Sequence, residues 1–529
     1  MRNLSVYLVL LWYYAFSVSD GLTDKKIFRP SATELSNPKV YPQRSIYGIK
    51  AIQPDQWKVE DIAGNGAGGI AINTPWADFQ PQEKRIPCSN NEIAYDGYCF
   101  IPARDSPIKT YTDRQLMITA ILIIPPAWAR QRNTDCKQAN QAFCAPDNAA
   151  AFGRFAGFLA WHYNGQNGKG RITEFVIMNE VNAAEWYNIG CGNGKPCNID
   201  AWVQHYAQVY IAAYDQIRRE QPQAPVLVSL EHHFDTIFDQ YASATNPFMS
   251  GRTFITKLVP KLGNRQWALA YHPYPPSLLR AEFGPNDWPK ITFGNINRLV
   301  GWLMQSFPNT SSAHKVYLTE NGINSIAPNS DQNKQHDQLC AAFEIMLATP
   351  NVDLFVYHRM KDHIVEIQQG LGLGLVDTNG NYKRAWSLWA MVNRFDVSPS
   401  KLSCGFQNLP YVVLKRARHQ TSGHISTTRP LPAGYTIEQT WKLFREPQPN
   451  TKLIFECQRK TDQRRFPSVN QHCENQDALG PLGYIYTNDQ TSVKTVAIYR
   501  CRLGSDYFVS PNANCEQATN EGLLGYAVV

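Results

Sequence analysis

Residues 175–182, FVIMNEVN, form an apolar run that ends abruptly in the amide of Asn179 and the carboxylate of Glu180. Residues 315–321, KVYLTEN, have the same design and end in Glu320. Short apolar runs that stop at polar residues are typical of strands covered on both faces of a parallel sheet. Each stretch therefore predicts a buried strand whose end presents one glutamate.

Short apolar runs alternate with helix-like segments around these two stretches, between residues 45 and 400. Eight runs predict strands near residues 47, 70, 118, 174, 226, 268, 316 and 354. Apolar residues at helical spacing predict helices at residues 56–62, 149–163, 202–219, 254–262, 296–307, 338–348 and 386–395. This alternation predicts an α/β fold, a (β/α)8 TIM barrel, with Glu180 after the fourth strand and Glu320 after the seventh.

A second, all-β domain is predicted from residue 404 to residue 529. Gly-Tyr pairs at residues 434–435, 483–484 and 525–526 lie near the ends of three β-rich segments. The last two segments align closely, because Cys473 and Cys515 each stand ten residues before their glycine. Three repeats of about 45 residues predict a small repeat module, with a trefoil-like or a propeller-like arrangement.

The N-terminus predicts export. Arg2 precedes a largely apolar run from Val6 to Val18, and small residues at 17–19 suit cleavage after Ser19. Residues 1–19 are therefore interpreted as a signal peptide and residues 20–44 as an extended lead-in. A retained signal anchor is the alternative, although the apolar run is short for a membrane span. The expected location is extracellular.

The cysteines agree with export, because an even number in a secreted chain predicts disulfides. Neighbours in sequence predict the pairs Cys88–Cys99, Cys136–Cys144, Cys191–Cys197, Cys457–Cys473 and Cys501–Cys515. By elimination Cys340 pairs with Cys404, which would tie the barrel to the β module. Asn309 begins an Asn-Thr-Ser sequon and is a candidate glycosylation site.

Composition limits the partners. The hydrophobic content of 43% is enough for a packed core, which excludes a disordered protein. The formal charge of +7 is spread along the chain without a long basic run, so no nucleic-acid partner is expected. No further apolar stretch approaches the length of a membrane span. The protein is expected to be a monomer.

The pairs Asn179-Glu180 and Thr319-Glu320, placed after the fourth and seventh strands, resemble the glycoside hydrolase clan A barrels, the 4/7 superfamily. The resemblance covers residues 45–396. Residues 356–363, VYHRMKDH, with residues 373–377, LGLVD, resemble an uncharacterised, DUF5722-like branch of this clan. The resemblance implies a retaining O-glycoside hydrolase in which Glu180 is the acid/base and Glu320 is the nucleophile.

Chemistry supports the same roles. Retaining hydrolysis needs one ionised carboxylate to attack the sugar and one protonated carboxyl to donate to the leaving oxygen. Burial and the charge of Glu320 should raise the pKa of Glu180, while hydrogen bonds keep Glu320 ionised. Asn179 should bind the sugar hydroxyl next to the reacting carbon. The expected partner is an oligo- or polysaccharide, and no cofactor or metal is expected.

Other candidate substrate-binding residues lie at the ends of the predicted strands. The resemblance implies that His272 and Tyr274 contact the nucleophile, and both are candidates for holding Glu320 ionised. Trp76 and Trp128, with Trp186 and Tyr187, are candidates for stacking on sugar rings. His358 and Arg359, in a cluster with Asp362 and His363, predict either a subsite for a charged sugar or a network that fixes a loop.

Several alternatives stay open at this stage. Glu231, His232 and His233 form a candidate metal site after the fifth strand, although residues that line the pocket or face loops are the simpler interpretation. A catalytically inactive barrel that binds carbohydrate, with the repeats as its adhesive part, is the second functional hypothesis. The sugar, endo or exo action, and hydrolysis against transglycosylation are not decided by the sequence.

Overall fold

The computed structural model of the protein describes residues 32–130, 143–191, 195–236, 248–392, 411–429, 431–444, 448–491 and 493–529. The expected signal peptide lies outside the described residues, as does the expected domain boundary at residues 400–404. Of the helices within the described ranges, none is both long and apolar enough to cross a membrane.

The first part of the structure is a closed barrel of eight parallel strands, which confirms the predicted fold. In chain order the strands are β1 (Lys50–Ile52), β2 (Gly69–Pro75), β3 (Ile93–Tyr95), β4 (Tyr98–Phe100), β5 (Met117–Ile123), β6 (Glu174–Ile177), β7 (Val226–Leu230), β8 (Trp267–Tyr271), β9 (Val316–Leu318) and β10 (Val352–Tyr357). β3 and β4 form a separate hairpin, and β10 closes the barrel by pairing with β1. The fourth barrel strand is therefore β6 and the seventh is β9.

Helices cover the outside of the barrel. They are α1 (Ala32–Leu35), α2 (Arg44–Tyr47), α3 (Val59–Ala63), α4 (Trp76–Phe79), α5 (Asp105–Asp113), α6 (Ala149–His162), α7 (Ile199–Glu220), α8 (Gly251–Leu262), α9 (Ile296–Ser306), α10 (Gln332–Leu347), α11 (Ile364–Gln368) and α12 (Arg384–Met391). Four of the long helices begin after a residue whose side-chain oxygen accepts a hydrogen bond from the first turn, namely Asn148, Asn198, Ser250 and Asp331. Such caps satisfy backbone groups that the helix itself leaves free.

Several predicted elements begin a few residues away from where the structure has them, and two of them show the cause. The first strand starts at Lys50 rather than at Tyr47, because residues 44–47 form α2 and Gly48 turns the chain at a φ of 80°. α10 starts at Gln332 rather than at residue 338, because its polar first turn carries no apolar signal. In both places local hydrogen bonding, and not hydrophobic spacing, decides where the element begins.

A buried ion pair between Arg44 and Glu174 lies at the start of β6. The Glu174 side chain is fully buried, and it accepts hydrogen bonds from Arg44 Nε at 2.8 Å and from Tyr41 Oη at 2.7 Å. Arg44 Nη2 lies 2.6 Å from the second carboxylate oxygen, which also accepts from Thr119 Oγ1. The charge of Arg44 is thus matched inside the fold, which links the chain before the barrel to its fourth strand.

The β module contains three units of three strands, as the repeats predicted. The strands are β11 (Tyr411–His419), β12 (Gly423–Thr427), β13 (Thr436–Phe444), β14 (Thr451–Gln458), β15 (Arg465–Ser468), β16 (Asp477–Tyr486), β17 (Thr495–Leu503), β18 (Asp506–Ser510) and β19 (Thr519–Val528). In each unit the first strand pairs with the other two, and the last strands of all three units pair with one another. Hydrogen bonds between units favour the trefoil-like expectation, because propeller blades are separate sheets.

The strand register corrects one detail of the repeats. Ile454 pairs with Gly483 and Ile498 pairs with Gly525, while the equivalent Leu414 pairs with Trp441. Trp441, and not Gly434, is therefore the counterpart of the two glycines. Gly483 and Gly525 have φ angles of 146° and 150°, a backbone conformation that favours glycine, so the first unit must differ in its backbone at this point.

The β module packs directly on the barrel through α9. A Cβ added at Gly480 would lie 2.2 Å from the carbonyl oxygen of Asn297, and one added at Gly301 would lie 2.8 Å from Gly480 Cα. The Asn297 side chain donates a hydrogen bond to the carbonyl of Leu479. The two glycines therefore allow the close approach of strand and helix.

The predicted disulfides Cys88–Cys99, Cys191–Cys197, Cys457–Cys473 and Cys501–Cys515 are confirmed. Cys144 and Cys340 are also disulfide-bonded, while their expected partners Cys136 and Cys404 lie outside the described residues. Asn309 is exposed between α9 and β9, and its glycosylation stays a prediction.

Candidate active site

Glu180 lies just beyond β6 on a strained piece of backbone. Met178 and Glu180 have φ angles of 61° and 39°, in the left-handed region that non-glycine residues adopt at a cost of about 1 kcal/mol or more each. Neighbouring strands hold this turn, since Met178 N donates to Leu122 O at 3.0 Å and Glu180 N donates to Ser229 Oγ at 3.0 Å. The turn directs the Glu180 carboxyl toward His272 and Glu320.

Two aromatic side chains of α7 donate hydrogen bonds to the backbone of the same turn. Tyr206 Oη donates to the carbonyl of Ile177 at 2.9 Å, and Trp202 Nε1 donates to the carbonyl of Val181 at 3.0 Å. Both side chains are fully buried. The backbone on either side of Asn179-Glu180 is thereby fixed to the helix that follows the strand.

Glu320 follows β9 and meets the loop after β8. Tyr274 Oη donates a hydrogen bond to Glu320 Oε1 at 2.9 Å. His272 Nδ1 lies 2.7 Å from Glu180 Oε1, and its Nε2 lies 3.1 Å from Thr319 Oγ1. Tyr274 therefore contacts the glutamate of the seventh strand directly, and His272 contacts that of the fourth.

The two carboxyl groups lie close together. One carboxylate oxygen of Glu180, one of Glu320 and one ring nitrogen of His272 all lie within 4.8 Å of one another. All three groups come from strand ends on one face of the barrel, which is where barrel active sites are found. Glu180 and Glu320 both keep part of their surface exposed, so a ligand in the barrel mouth can reach them.

The surroundings drive the pKa values of the two carboxyls apart. Burial raises the pKa of Glu180 above its usual value, and the charge of Glu320 adds to this, although the hydrogen bond with His272 acts in the other direction. Burial also acts to raise the pKa of Glu320, but the positive charges of His358 and His272 and the Tyr274 hydrogen bond outweigh it and lower that pKa. One carboxyl thus favours the protonated form and the other the ionised form.

Asn179 adds an unused acceptor beside the two carboxyls. It is 3% exposed, and its Oδ1 has no hydrogen-bond partner among the described residues. A buried amide oxygen without a partner is costly, so its presence points to a donor that arrives with a ligand. A hydroxyl group would satisfy it.

His358 and Arg359 follow β10 and interact with different charged residues. Burial disfavours the charged form of His358, but the charges of Glu320 and Glu366 outweigh it and raise its pKa. Arg359 is held by Asp55, with Nε to Oδ2 at 3.0 Å, and by Glu366, with Nη1 to Oε1 at 2.8 Å. The charge of Arg359 is paired with the carboxylates of Asp55 and Glu366. This pairing favours the loop-fixing network over the subsite for a charged sugar.

The tryptophans are less available than the sequence suggested. Trp76 is fully buried and stacks on Phe155 at 5.6 Å, so the expectation that it stacks on a sugar is wrong. Trp76 follows the end of β2 in sequence, but it is the first residue of α4, which turns its side chain into the core. Trp128 is half-buried, with its edge toward Trp76 at 5.0 Å, and Trp186 is half-buried against Phe143.

The Glu231 cluster forms hydrogen bonds within the protein. Glu231, His232 and His233 bring potential ligand atoms within 4.8 Å of one another. Glu231 Oε1 accepts from Asn182 Nδ2 at 2.7 Å, and its Oε2 accepts from His233 N at 2.9 Å. The buried Glu231 carboxylate therefore has hydrogen-bond partners within the protein, and it holds the side chain of Asn182, two residues after Glu180.

Three contacts of the site had no sequence signal strong enough to identify them. Thr319 stands in the quoted motif, but only the fold brings its hydroxyl to His272. Ser229 lies on the neighbouring strand β7, 49 residues from Glu180, and Glu366 lies on α11, 8 residues from His358. Hydrogen bonds over such separations follow from strand order and loop shape, which single residues do not reveal.

Comparisons with known proteins give one family match and several similar solved structures. Residues 42–402 match the sequence profile of DUF5722, described as a family of unknown function. No curated protein matches the sequence. Similar solved structures include the β-glycosidase of the hyperthermophile Thermosphaera aggregans, with 14% identity, a TM-score of 0.45 and coverage of 67% of this chain and 88% of that one.

Two further solved structures are similar at the same level. A family 39 glycoside hydrolase from Bacteroides cellulosilyticus WH2 has 11% identity and a TM-score of 0.45, and the match covers 93% of this chain and 83% of that one. A family 1 β-glucosidase from Thermotoga maritima has 13% identity and a TM-score of 0.40, with coverage of 64% of this chain and 85% of that one.

Proposed function

The chain belongs to the DUF5722 family, a family of unknown function, and we propose that this protein is a secreted retaining glycoside hydrolase. The observation that carries the proposal is the approach of Glu180 and Glu320, with carboxylate oxygens within 4.8 Å. Retaining enzymes hold their carboxyl groups about 5–5.5 Å apart, whereas inverting enzymes leave about 6.5–9.5 Å for a water. The direction of each pKa shift supports the same assignment.

In the first step, Glu320 attacks the anomeric carbon and the glycosidic carbon–oxygen bond breaks. Glu180 donates its proton to the leaving oxygen, so that an alcohol departs and not an alkoxide. The sugar is then bound to Glu320 as an ester. Tyr274 supports this step because its hydrogen bond keeps Glu320 ionised before the attack.

In the second step the roles reverse. The charge of Glu320 disappears when the ester forms, and one cause of the raised pKa of Glu180 disappears with it. Glu180, now ionised, removes a proton from water, and the resulting hydroxide attacks the anomeric carbon and releases Glu320. Two displacements give net retention of configuration.

Asn179 and His272 complete the proposed site. The unpartnered Oδ1 of Asn179 accepts a hydrogen bond from the sugar hydroxyl next to the reacting carbon. His272, whose Nδ1 lies 2.7 Å from Glu180 Oε1, shares a proton with the acid/base and orients its carboxyl. The proposed substrate is an oligo- or polysaccharide, with the sugar set by loops around the barrel mouth.

Export is part of the proposal. The ten cysteines in the described part of the chain are all disulfide-bonded, which suits an oxidising compartment. The apolar N-terminal segment of the sequence is the feature expected to direct export.

The stereochemistry of the first product tests the proposal. On a panel of α- and β-aryl glycosides followed by proton NMR, we expect the sugar first released to have the same anomeric configuration as the substrate. Mutarotation of the released sugar is slow, so spectra taken in the first minutes show the anomer that the enzyme released. Release of the opposite anomer would contradict the assignment of Glu320 as a nucleophile.

The pH profile tests the roles of the residues that touch the two carboxyls. His272→Gln removes a positive charge that lowers the pKa of both glutamates, so both limbs of the bell-shaped profile of kcat/KM should move to higher pH. Tyr274→Phe removes only the hydrogen bond that lowers the pKa of Glu320, so only the acidic limb should move up. Equal profiles for the two variants would contradict these separate roles, since the limbs report apparent values of the coupled pair.

A further inference from the structure

A cavity lies between the barrel and the β module, away from Glu180 and Glu320. It has a volume of about 200 Å³ and lies between α9, α10 and the loop before α9 on one side and β15, β16 and the segment after β12 on the other. Its apolar wall includes Phe283, Ala341, Ile345 and Leu479. Its polar lining includes the guanidinium groups of Arg298, Arg429 and Arg465.

The three arginines are not fully neutralised. Glu456 is fully buried and gives one oxygen to Arg429 and the other to Arg465, the latter at 3.1 Å. Arg298 forms no ion pair with a described residue, and its guanidinium lies 5.3 Å from the ring of Trp288. Asp477, an exposed residue, is the second carboxylate whose charge acts on Arg298. Three guanidinium groups against two carboxylates leave one positive charge in excess.

Arg429 carries a free donor at this site. Its side chain is 9% exposed, and its Nε has no hydrogen-bond partner among the described residues. Burial lowers its pKa to about 10, with the charges of Arg465 and Arg298 acting in the same direction and that of Glu456 against them. A buried donor beside two like charges is costly unless an acceptor arrives.

The start of α9 adds to the positive field. Asn295, Asn297 and Arg298 line the cavity where this helix begins at Ile296. The N-terminus of a helix favours an anion because its dipole is positive there. Arginines additionally offer paired donors that match the oxygens of carboxylates, sulfates and phosphates.

We propose that this cavity binds the oxyanion of a small organic ligand, an acidic sugar such as a uronic acid or a sulfated monosaccharide, with Arg298, Arg429 and Arg465 as its contacts. The apolar wall packs against the ring of the ligand, and the guanidinium groups hold its carboxylate or sulfate. Neither Glu180 nor Glu320 lines the cavity, so the site is separate from the proposed active site, but the choice of a sugar as the ligand rests on the proposed function.

Calorimetric titration of the full chain at low salt tests the site with four probes: glucuronate, glucose 6-sulfate, inorganic sulfate and neutral glucose. We expect the two acidic sugars to bind more tightly than inorganic sulfate, and glucose to give no signal. Arg298→Gln should weaken the binding of the acidic sugars at least tenfold. Arg418→Gln, the same change at an exposed arginine of β11, should leave it unchanged.

Two results would overturn the inference. The first is absence of binding by every anion, or equal weakening by Arg298→Gln and Arg418→Gln, which would mean a diffuse charge effect. The second is binding that survives Arg298→Gln but is lost in Glu320→Gln, which would put the ligand in the barrel mouth. Arg465→Gln serves as a second variant if Arg298→Gln does not fold, because Arg429 still pairs with Glu456.

Discussion

Glu320→Gln should abolish glycoside hydrolysis, with a loss in kcat/KM on the order of 10⁴-fold or more, as when other enzymes lose a nucleophile. The amide has the size of the carboxyl but cannot attack the anomeric carbon. Glu180→Gln should also be severe on substrates with poor leaving groups, because proton donation contributes about 10²–10⁴-fold. Initial rates on aryl and natural glycosides measure both losses.

Leaving-group dependence separates the two roles. A highly acidic phenol needs no proton to depart, so Glu180→Ala should still form the glycosyl ester with Glu320 on such substrates and then stall. Azide should restore turnover in this variant and give a glycosyl azide of retained configuration, since it enters opposite Glu320. In Glu320→Ala, azide takes the place of the nucleophile and the product should have inverted configuration.

Glu185→Gln is the matched control for these variants. Glu185 is exposed in the same loop, five residues after Glu180, and the substitution should leave the rates unchanged. Rates in Glu180→Gln and Glu320→Gln that equal those of the control would refute the catalytic assignment. A wild-type chain that binds oligosaccharides but hydrolyses no member of a broad panel would favour the inactive, carbohydrate-binding barrel.

Glu174→Gln should lower the free energy of unfolding by about 3–5 kcal/mol, because it breaks a buried ion pair. The substitution leaves the Arg44 guanidinium charged, 4% exposed and without its counter-charge. The amide that replaces the carboxylate must also satisfy the donors of Tyr41 and Thr119. Urea denaturation of wild type and variant at pH 7, followed by tryptophan fluorescence, measures the difference.

The same pair predicts how stability depends on pH. Burial acts to raise the pKa of Glu174, but the charge and hydrogen bonds of Arg44 outweigh it and lower the folded-state pKa. Its stabilisation is therefore complete above the unfolded-state value of about 4.3 and is lost as the pH falls through the lower folded-state value. The stability difference between wild type and Glu174→Gln should shrink in this acidic range.

Glu60→Gln is the control for the buried pair. Glu60 pairs with Arg114 at 2.8 Å, but both side chains are more than half exposed. Exposed ion pairs contribute only about 0–1 kcal/mol, so this substitution should change stability little. A loss for Glu174→Gln no greater than that of the control would mean that the pair in the barrel does not support the fold.

The barrel was predictable because its strands are apolar on both faces and its helices have one apolar face. These patterns are local, so they can be read from neighbouring residues. The order of the strands then placed Glu180 after the fourth barrel strand and Glu320 after the seventh. The disulfides within loops were predictable for the same reason, since Cys191 and Cys197 are only six residues apart.

Other features were hidden because they depend on residues far apart in the chain. Arg44 and Glu174 are separated by 130 residues, and neither stands in a recognisable motif. Trp76 was expected to face a ligand, but the turn into α4 buries it against Phe155. Arg359 was a candidate for substrate binding, but Asp55, 304 residues earlier, holds its guanidinium.

By itself the sequence determined the eight-stranded barrel, the two glutamates at the ends of barrel strands, and the three-unit β module. Hydrophobic spacing and the order of the strands depend on local pattern, so they can be read from the sequence. Only the tertiary structure decided what surrounds the two glutamates. It assigned His272 to Glu180 and Tyr274 to Glu320, and it separated the pKa values of the two carboxyls. Burial, charge and hydrogen bonding at one point depend on every chain segment that reaches it, and that convergence exists only after folding.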